Sequence, residues 1–302
     1  MRADRLCALA LGLLLHSGAC LQGQTLELPT ANDAFLRGNP SAFYQYVDRT
    51  FEGEKSSPWQ GGQFGFVRNP ARLGGGLLYT RFHEGLDIKP LGRDGNGDPL
   101  DEVRAMADGV VVHSSETSSH SNYGRYVVVR HDWKDGSFFS LYAHLRTVAV
   151  ERGRRVTAGQ TLGVLGYTGA GIDQRRAHVH VELNLFLSSR FEAWHDACFS
   201  SPNYHGVYNG LNLIGLDLAA LFQAQQKSRS TGAADIVRRT DAYFTVAVPG
   251  NAPMEIAKNY PWLRDGRSFG NPSSWEITFS RWGLPLKVSP GSREVTAPVV
   301  TS

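Results

Sequence analysis

The stretch Ala177 to Asn184, AHVHVELN, alternates polar and apolar residues. Side chains along a strand point to opposite faces in turn, so His178, His180 and Glu182 share one face and Val179, Val181 and Leu183 the other. The apolar face suits a core. The polar face carries two imidazoles and a carboxylate, a donor set able to hold a metal or simply to face solvent. Short β-branched or aromatic runs fill the chain upstream: GGGLLYTRFHEGLDIKP, VRAMADGVVVHSS, YGRYVVVRHDW, GSFFSLYAHL and GQTLGVLGYTG. Gly, Asp, Asn and Ser turns separate them, which predicts a β-domain over about 63–190. Before it, 20–62 is a mixed polar segment in which NDAFLRG and AFYQYVDRTF are candidate short helices. After it, apolar residues at helical spacing predict one helix over 214–227. SRSTGAAD then reads as a linker, so 191–232 is a helical segment and linker. Residues 233–302 form a C-terminal β-rich extension, with AYFTVAVPGN, SWEITFSRWG and LPLKVSP as its strands.

The first residues have a different character. Arg2 and Arg5 precede an apolar run, Leu6 to Leu15, that is too short to span a bilayer. Ser17 and Ala19 are small residues suited to cleavage before Cys20, so 1–19 reads as a signal peptide. The expected location is outside the cytoplasm: periplasm, cell envelope or extracellular space, with no stable transmembrane span after cleavage. SGAC also resembles a lipoprotein signal with Ser17 in place of the usual Leu, which makes Cys20 a candidate lipid anchor. Cys198 then has at most Cys20 as a partner, so a disulfide framework is absent, and if Cys20 is lipidated or lost Cys198 is expected to be a buried free thiol.

Composition narrows the class. The 302 residues are 41% hydrophobic and 20% charged, as in an ordinary globular protein with ample core. A net charge of +3 is too slight for a nucleic-acid binder. Oligomeric state is not legible.

Three segments bring chemistry. His83 and Asp87 stand in FHEGLDIKP, where Gly85 and Pro90 favour a turn entering a strand over a helix. The fifth residue is Asp, so this is not the HExxH helix, and Glu84 is a poor candidate for that motif's glutamate. His144 closes the aromatic run SLYAHL. His178 and His180 complete the set. A catalytic zinc favours three protein ligands and one open position, and two histidines would then remain for proton and oxyanion work.

In order, these motifs resemble the LytM/lysostaphin-like zinc metallopeptidases, the M23 or β-lytic peptidase family, over about Phe64 to Glu182. HEGLD matches the family's HxxxD, YAHL its central motif and HVH its HxH. ADGVV, YGRYVVVRH, GRRVTAGQTLGVLGYTG and FGFVRNP resemble its connecting segments. The resemblance implies a mainly β protein, an antiparallel β-sheet groove domain with a C-terminal helix and a small β-rich extension. It implies His83, Asp87 and His180 as ligands of one Zn²⁺ per chain, with His144 and His178 as catalytic residues. The implied activity is hydrolysis of peptidoglycan stem or bridge peptides. A zinc peptidase acting on secreted protein, or a non-catalytic adaptor regulating another wall hydrolase, is the alternative. Glu182 is a candidate hydrogen-bond partner of a site histidine. Asn69 is a candidate for closing the site in a latent form, as an N-terminal residue does in some relatives.

Two departures stand out. RRAHVHVE lacks the Gly/Pro-containing approach common before HxH, which places Arg175 and Arg176 near the groove wall. LGRDGNGDPLDEV, 91–103, is longer than the usual turn. Its Asp94, Asn96 and Asp98 alternate like the start of a calcium loop, although Pro99 replaces the usual Gly and Ala105 the bidentate Glu. This makes Ca²⁺ a candidate ligand there and a solvated turn the plainer reading.

Overall fold

A computed structural model describes residues 25–250, 254–266 and 272–302. The signal peptide 1–19 and the lipid-anchor candidate Cys20 lie outside the described residues. Among those described, no helix is long and apolar enough to cross a membrane.

The N-terminal segment contributes helix α1 (Pro40–Phe43) and strands β1 (Arg49–Phe51) and β2 (Glu54–Ser56). Of the two candidate helical stretches, NDAFLRG forms turns and AFYQYVDRTF is helical only at Ala42 and Phe43, the end of α1, which the Asn39 side chain caps on the Ala42 N–H. Phe43 and Tyr44 bury themselves in the core, which ties the segment down. A long hairpin follows, β3 (Gly65–Leu73) and β4 (Gly76–His83), then β5 (Leu86–Ile88) and β6 (Glu102–Arg104). The central strands are β7 (Gly109–Ser115), β8 (Tyr126–Trp133) and β9 (Gly136–Ala143). Next come the short β10 (Thr147–Val148), β11 (Arg155–Val156) and β12 (Thr161–Val164), and then β13 (Val179–Phe186).

The main sheet runs β11-β7-β8-β9-β13 and ends on β14 (Leu213–Gly215), with β5 also paired to β13. Every pairing in it is antiparallel. Val179, Val181 and Leu183 are fully buried in the core, as the alternation predicts. Register places His180 opposite Asp87 on one side and Ala143 on the other. The two outer motifs and the end of the middle one therefore meet on β13.

After the sheet come α2 (Phe191–Cys198), α3 (Leu218–Lys227) and α4 (Ala233–Arg238). The expected helix over 214–227 starts later. Leu213–Gly215 is spent pairing with β13, and Asp217 caps the helix on the Ala220 N–H. The stretch read as a linker is packed: Thr231, Ala233 and Ala234 are buried, and α4 begins within it. Cys198 is free but exposed, not buried, because it ends α2 on the solvent side.

A four-stranded antiparallel sheet closes the chain, from β15 (Phe244–Pro249), β16 (Ser274–Phe279), β17 (Pro285–Gly291) and β18 (Val299–Val300), with α5 (Glu255–Asn259) in its first connection. Its Trp275, Ile277 and Val288 join the same buried cluster as Val127, Val181 and Leu86. The Tyr260 hydroxyl donates to the Ser137 carbonyl at 2.6 Å and accepts from the Phe186 N–H at 2.8 Å. Trp282 stacks on Phe82, beside His83, at 5.6 Å between centroids. The extension thus braces the strand that carries His83.

Candidate metal centre

Gly85 allows the first motif to reach β13. A Cβ there would lie 2.4 Å from the Val181 carbonyl oxygen and 2.9 Å from the His180 ring, so only glycine permits this approach. The turn delivers His83 from the end of β4 and Asp87 from β5 to the same point as His180.

His83 Nε2 lies 3.0 Å from His180 Nδ1 and 3.0 Å from Asp87 Oδ1, and His180 Nδ1 lies 2.9 Å from that oxygen. The three atoms form a nearly equilateral triangle. Ligands about 2.0–2.1 Å from a tetrahedral zinc would be separated by edges of about 3.3 Å, so the donor set fits one such ion with a fourth position open. All three residues are buried.

The remaining ring nitrogens are held by acceptors. His83 Nδ1 donates to the Gln63 carbonyl at 2.7 Å and His180 Nε2 to Glu182 Oε1 at 2.7 Å. Each proton is thereby held away from the centre and the other nitrogen keeps its lone pair, as metal ligation requires. Glu182 is itself anchored by the Tyr123 hydroxyl at 2.8 Å and the Asn184 amide at 3.0 Å. Arg68 donates to the Gly61 carbonyl at 2.8 Å and pairs with Asp87 Oδ2, leaving Oδ1 for the centre.

His144 and His178 stand beside this triangle with ring centroids 4.8 Å apart. His144 Nδ1 donates to the Thr168 carbonyl at 2.9 Å and His178 Nδ1 to the Arg176 carbonyl at 2.7 Å. His144 Nε2 has no hydrogen-bond partner among the described residues, whereas His178 Nε2 lies 3.4 Å from Asp87 Oδ1. His144 has φ 64°, a left-handed conformation that is strained for a non-glycine residue and is typical of functional positions. Backbone bonds from His144 to Tyr123 and from Leu145 to Arg125 hold it there. All five motif residues line one groove of about 880 Å³.

Electrostatics follow from burial. Burial raises the Asp87 carboxyl, but the charges of His83, His178 and Arg68 outweigh it and hold the group well below the usual carboxylate range. Burial holds the His83 and His144 imidazoles below their ordinary value. For His180, burial is outweighed by the hydrogen bonds to Asp87 and Glu182, which raise it to about 9. A bound cation would take that proton's place. Glu84 faces the groove too, and burial, with Glu182 nearby, raises it to about 8.

The two sequence departures meet each other. Arg93 Nη1 donates to the Gln174 carbonyl at 2.7 Å, and Gln174 Nε2 donates to the Asn96 carbonyl at 3.0 Å and to Asp98 at 2.6 Å. The long loop therefore braces the approach whose Arg176 carbonyl orients His178. Asp94 accepts from the Asn96 and Asp98 backbone N–H groups, both at 2.9 Å, and Asp98 accepts from Tyr167 at 3.0 Å. These oxygens serve protein donors, so the loop gives the calcium expectation no support. Arg175 pairs with Asp48 at 2.5 Å on the groove wall. Asn69 is exposed with φ 52°, and its neighbour Arg68 makes the contact with the site.

The fold and the three-atom centre define a metallopeptidase-type groove domain. Residues 81–189 match the model of peptidase family M23, and this part of the chain belongs to that family. Peptidoglycan DD-endopeptidase ShyC of Vibrio cholerae serotype O1 is 36% identical over 103 residues, 33% of this chain and 20% of that protein. Peptidoglycan DD-endopeptidase ShyA of the same organism is 36% identical over 81 residues, 27% of this chain and 17% of that protein. The chain thus matches a fifth or less of those relatives' lengths. Among solved structures, the catalytic domain of the antimicrobial peptidase lysostaphin from Staphylococcus simulans shares 23% identity over 47% of this chain and 79% of that chain, with a TM-score of 0.28. The catalytic domain of the prophage-encoded M23 protein EnpA from Enterococcus faecalis shares 23% over 47% and 86%, with a TM-score of 0.29.

Proposed function

We propose that this chain is an exported zinc metalloendopeptidase that hydrolyses peptide bonds in peptidoglycan stem or bridge peptides. One observation carries the reading: His83 Nε2, Asp87 Oδ1 and His180 Nδ1 form a triangle with 2.9–3.0 Å edges in a groove that also holds His144 and His178. The names of the two relatives supply the substrate class. An adaptor without activity has no need of two further histidines whose tautomers are fixed by backbone carbonyls.

Zinc bound by His83, Asp87 and His180 would polarise a peptide carbonyl and lower the pKa of a water molecule. The protein's own groups do the rest. One of His144 and His178 accepts a proton through its Nε2, and the other stabilises the oxyanion or protonates the leaving amine. Glu182 and Gln63 keep the ligand rings in the required tautomer. We assign 1–19 as the signal peptide, 63–190 as the peptidase domain and 233–302 as a structural extension. A diacylglyceryl adduct on Cys20 in the exported protein would identify a lipoprotein. Zymography on purified cell walls tests the function: clearing that a chelator abolishes and zinc restores supports it, and absence of clearing by zinc-loaded protein contradicts it.

A further inference from the structure

The groove continues beyond the metal centre along the inner side of the β3–β4 hairpin and past residues 46–50. Its arginines are unevenly paired with its carboxylates, of which Glu84 is largely buried and shifted toward its neutral form. Asp48 is bridged by Arg175 at 2.5 Å and lies 3.8 Å from Arg176. Asp87 is held by Arg68 and Glu182 by His180. Two groove arginines remain, Arg49 and Arg81, and neither has an acidic partner among the described residues.

Arg49 is half-buried and held by neutral groups. Its Nε donates to Ser56 Oγ at 3.0 Å and its Nη1 to the Tyr79 hydroxyl at 3.2 Å, with the guanidinium carbon 5.7 Å from the Tyr79 ring centroid. A cation fixed this way keeps its full charge and is oriented before any ligand arrives. Arg81 is exposed to the groove. It shares a strand face with His83 and Tyr79, since side chains alternate along β4, and it stands opposite Arg68 in the hairpin register. Two residues of strand separate its Cα from that of His83 by about 7 Å. That is the reach of one to two residues along an extended peptide whose scissile bond sits at the metal centre.

We infer that Arg81, backed by Arg49, is a subsite for a carboxylate carried by the substrate within one or two residues of the bond that is cut. The inference rests on the peptidase reading above and sharpens it. A cross-link through a diamino dicarboxylic acid, such as diaminopimelate, carries a free carboxylate beside the scissile amide. A glycine bridge carries no such group there. The planar guanidinium forks match a carboxylate in geometry as well as charge.

The test uses two cross-linked peptides identical except that this carboxylate is free in one and a carboxamide in the other. Their N-methylated, uncleavable counterparts are used for binding by calorimetry. Wild-type protein should favour the carboxylate form roughly 10- to 100-fold in kcat/KM and in affinity, the discrimination expected of a charge-assisted hydrogen bond. Arg81→Gln should bring both ratios close to one, and Arg81→Lys should retain part of the preference. Wild-type ratios near one, or ratios unchanged in Arg81→Gln, would overturn the subsite. Failure of the peptidase reading has a different signature: neither peptide is cut. The binding ratios still decide the subsite in that case.

Discussion

His180 Nε2 lies 2.7 Å from Oε1 of Glu182, two residues further along the same strand face. This contact turns the histidine so that Nδ1, not Nε2, points at Asp87. Glu182 is fully enclosed and accepts from Tyr123 and Asn184 as well, so its position is overdetermined. Removing such a partner typically weakens metal affinity about 10- to 100-fold. Glu182→Ala should do so in a competition titration with a chromogenic chelator, while Glu182→Gln, which still offers an acceptor, should lose less. Equal zinc affinity in wild type and Glu182→Ala would refute this role.

His144 and His178 should separate chemistry from metal binding. Neither belongs to the triangle of ligand atoms, and each is oriented by a backbone carbonyl. His144→Ala and His178→Ala should keep about one zinc per chain and bind peptide, yet lose about 10²- to 10⁴-fold in kcat. His178 is 3.4 Å from Asp87 Oδ1, so zinc content must be measured on the same samples. Zinc lost from His178→Ala would move that residue into the metal shell.

The brace between the long loop and the HxH approach has its own consequence. Arg93 holds the Gln174 and Arg175 carbonyls, next to the Arg176 carbonyl that orients His178. Arg93→Ala should lower kcat several-fold with zinc content unchanged, because the ring it loosens is not a ligand. A kcat equal to wild type would show that the loop does not orient His178.

Acid should destabilise the fold through His131. This ring is buried on β8, donates Nδ1–H to the Asp108 carbonyl at 2.8 Å and lies 2.7 Å from Ser140 Oγ. Burial lowers its pKa to about 4. The unfolded chain, with a histidine pKa of about 6.5, binds more protons between those values. The stabilisation is therefore present above about pH 6.5 and is lost as pH falls toward about 4. Between pH 7 and 5 the loss is about 2 kcal/mol for this one group. Urea unfolding at both pH values should show a shallower pH dependence in His131→Gln than in wild type. Equal slopes would refute the assignment.

Much of the site was legible because its residues follow strand periodicity. His178, His180 and Glu182 alternate with core valines, and Gly85 marks the turn that brings His83 and Asp87 to them. Arg68, Tyr123 and Asn184 were not legible as partners. Each acts through one long-range contact, to Asp87 or Glu182, that no local spacing encodes. Helix α2 was missed because it is only two turns long, too short for the spacing of Phe191, Trp194 and Cys198 to establish a helical period. The supposed linker misled because SRSTGAAD has linker composition, although Thr231 and the small Ala233 and Ala234 are what fit against the core.

The most direct measurement of the central claim is mass spectrometry of a purified cross-linked muropeptide dimer incubated with the mature protein, with zinc counted on the same preparation. The account predicts about one zinc per chain and conversion of dimer to monomers. Chelator should abolish the conversion, added zinc should restore it, and His83→Ala should lack both metal and activity. Intact dimer in the presence of zinc-loaded wild-type protein, or undiminished cleavage by zinc-free His83→Ala, would contradict it.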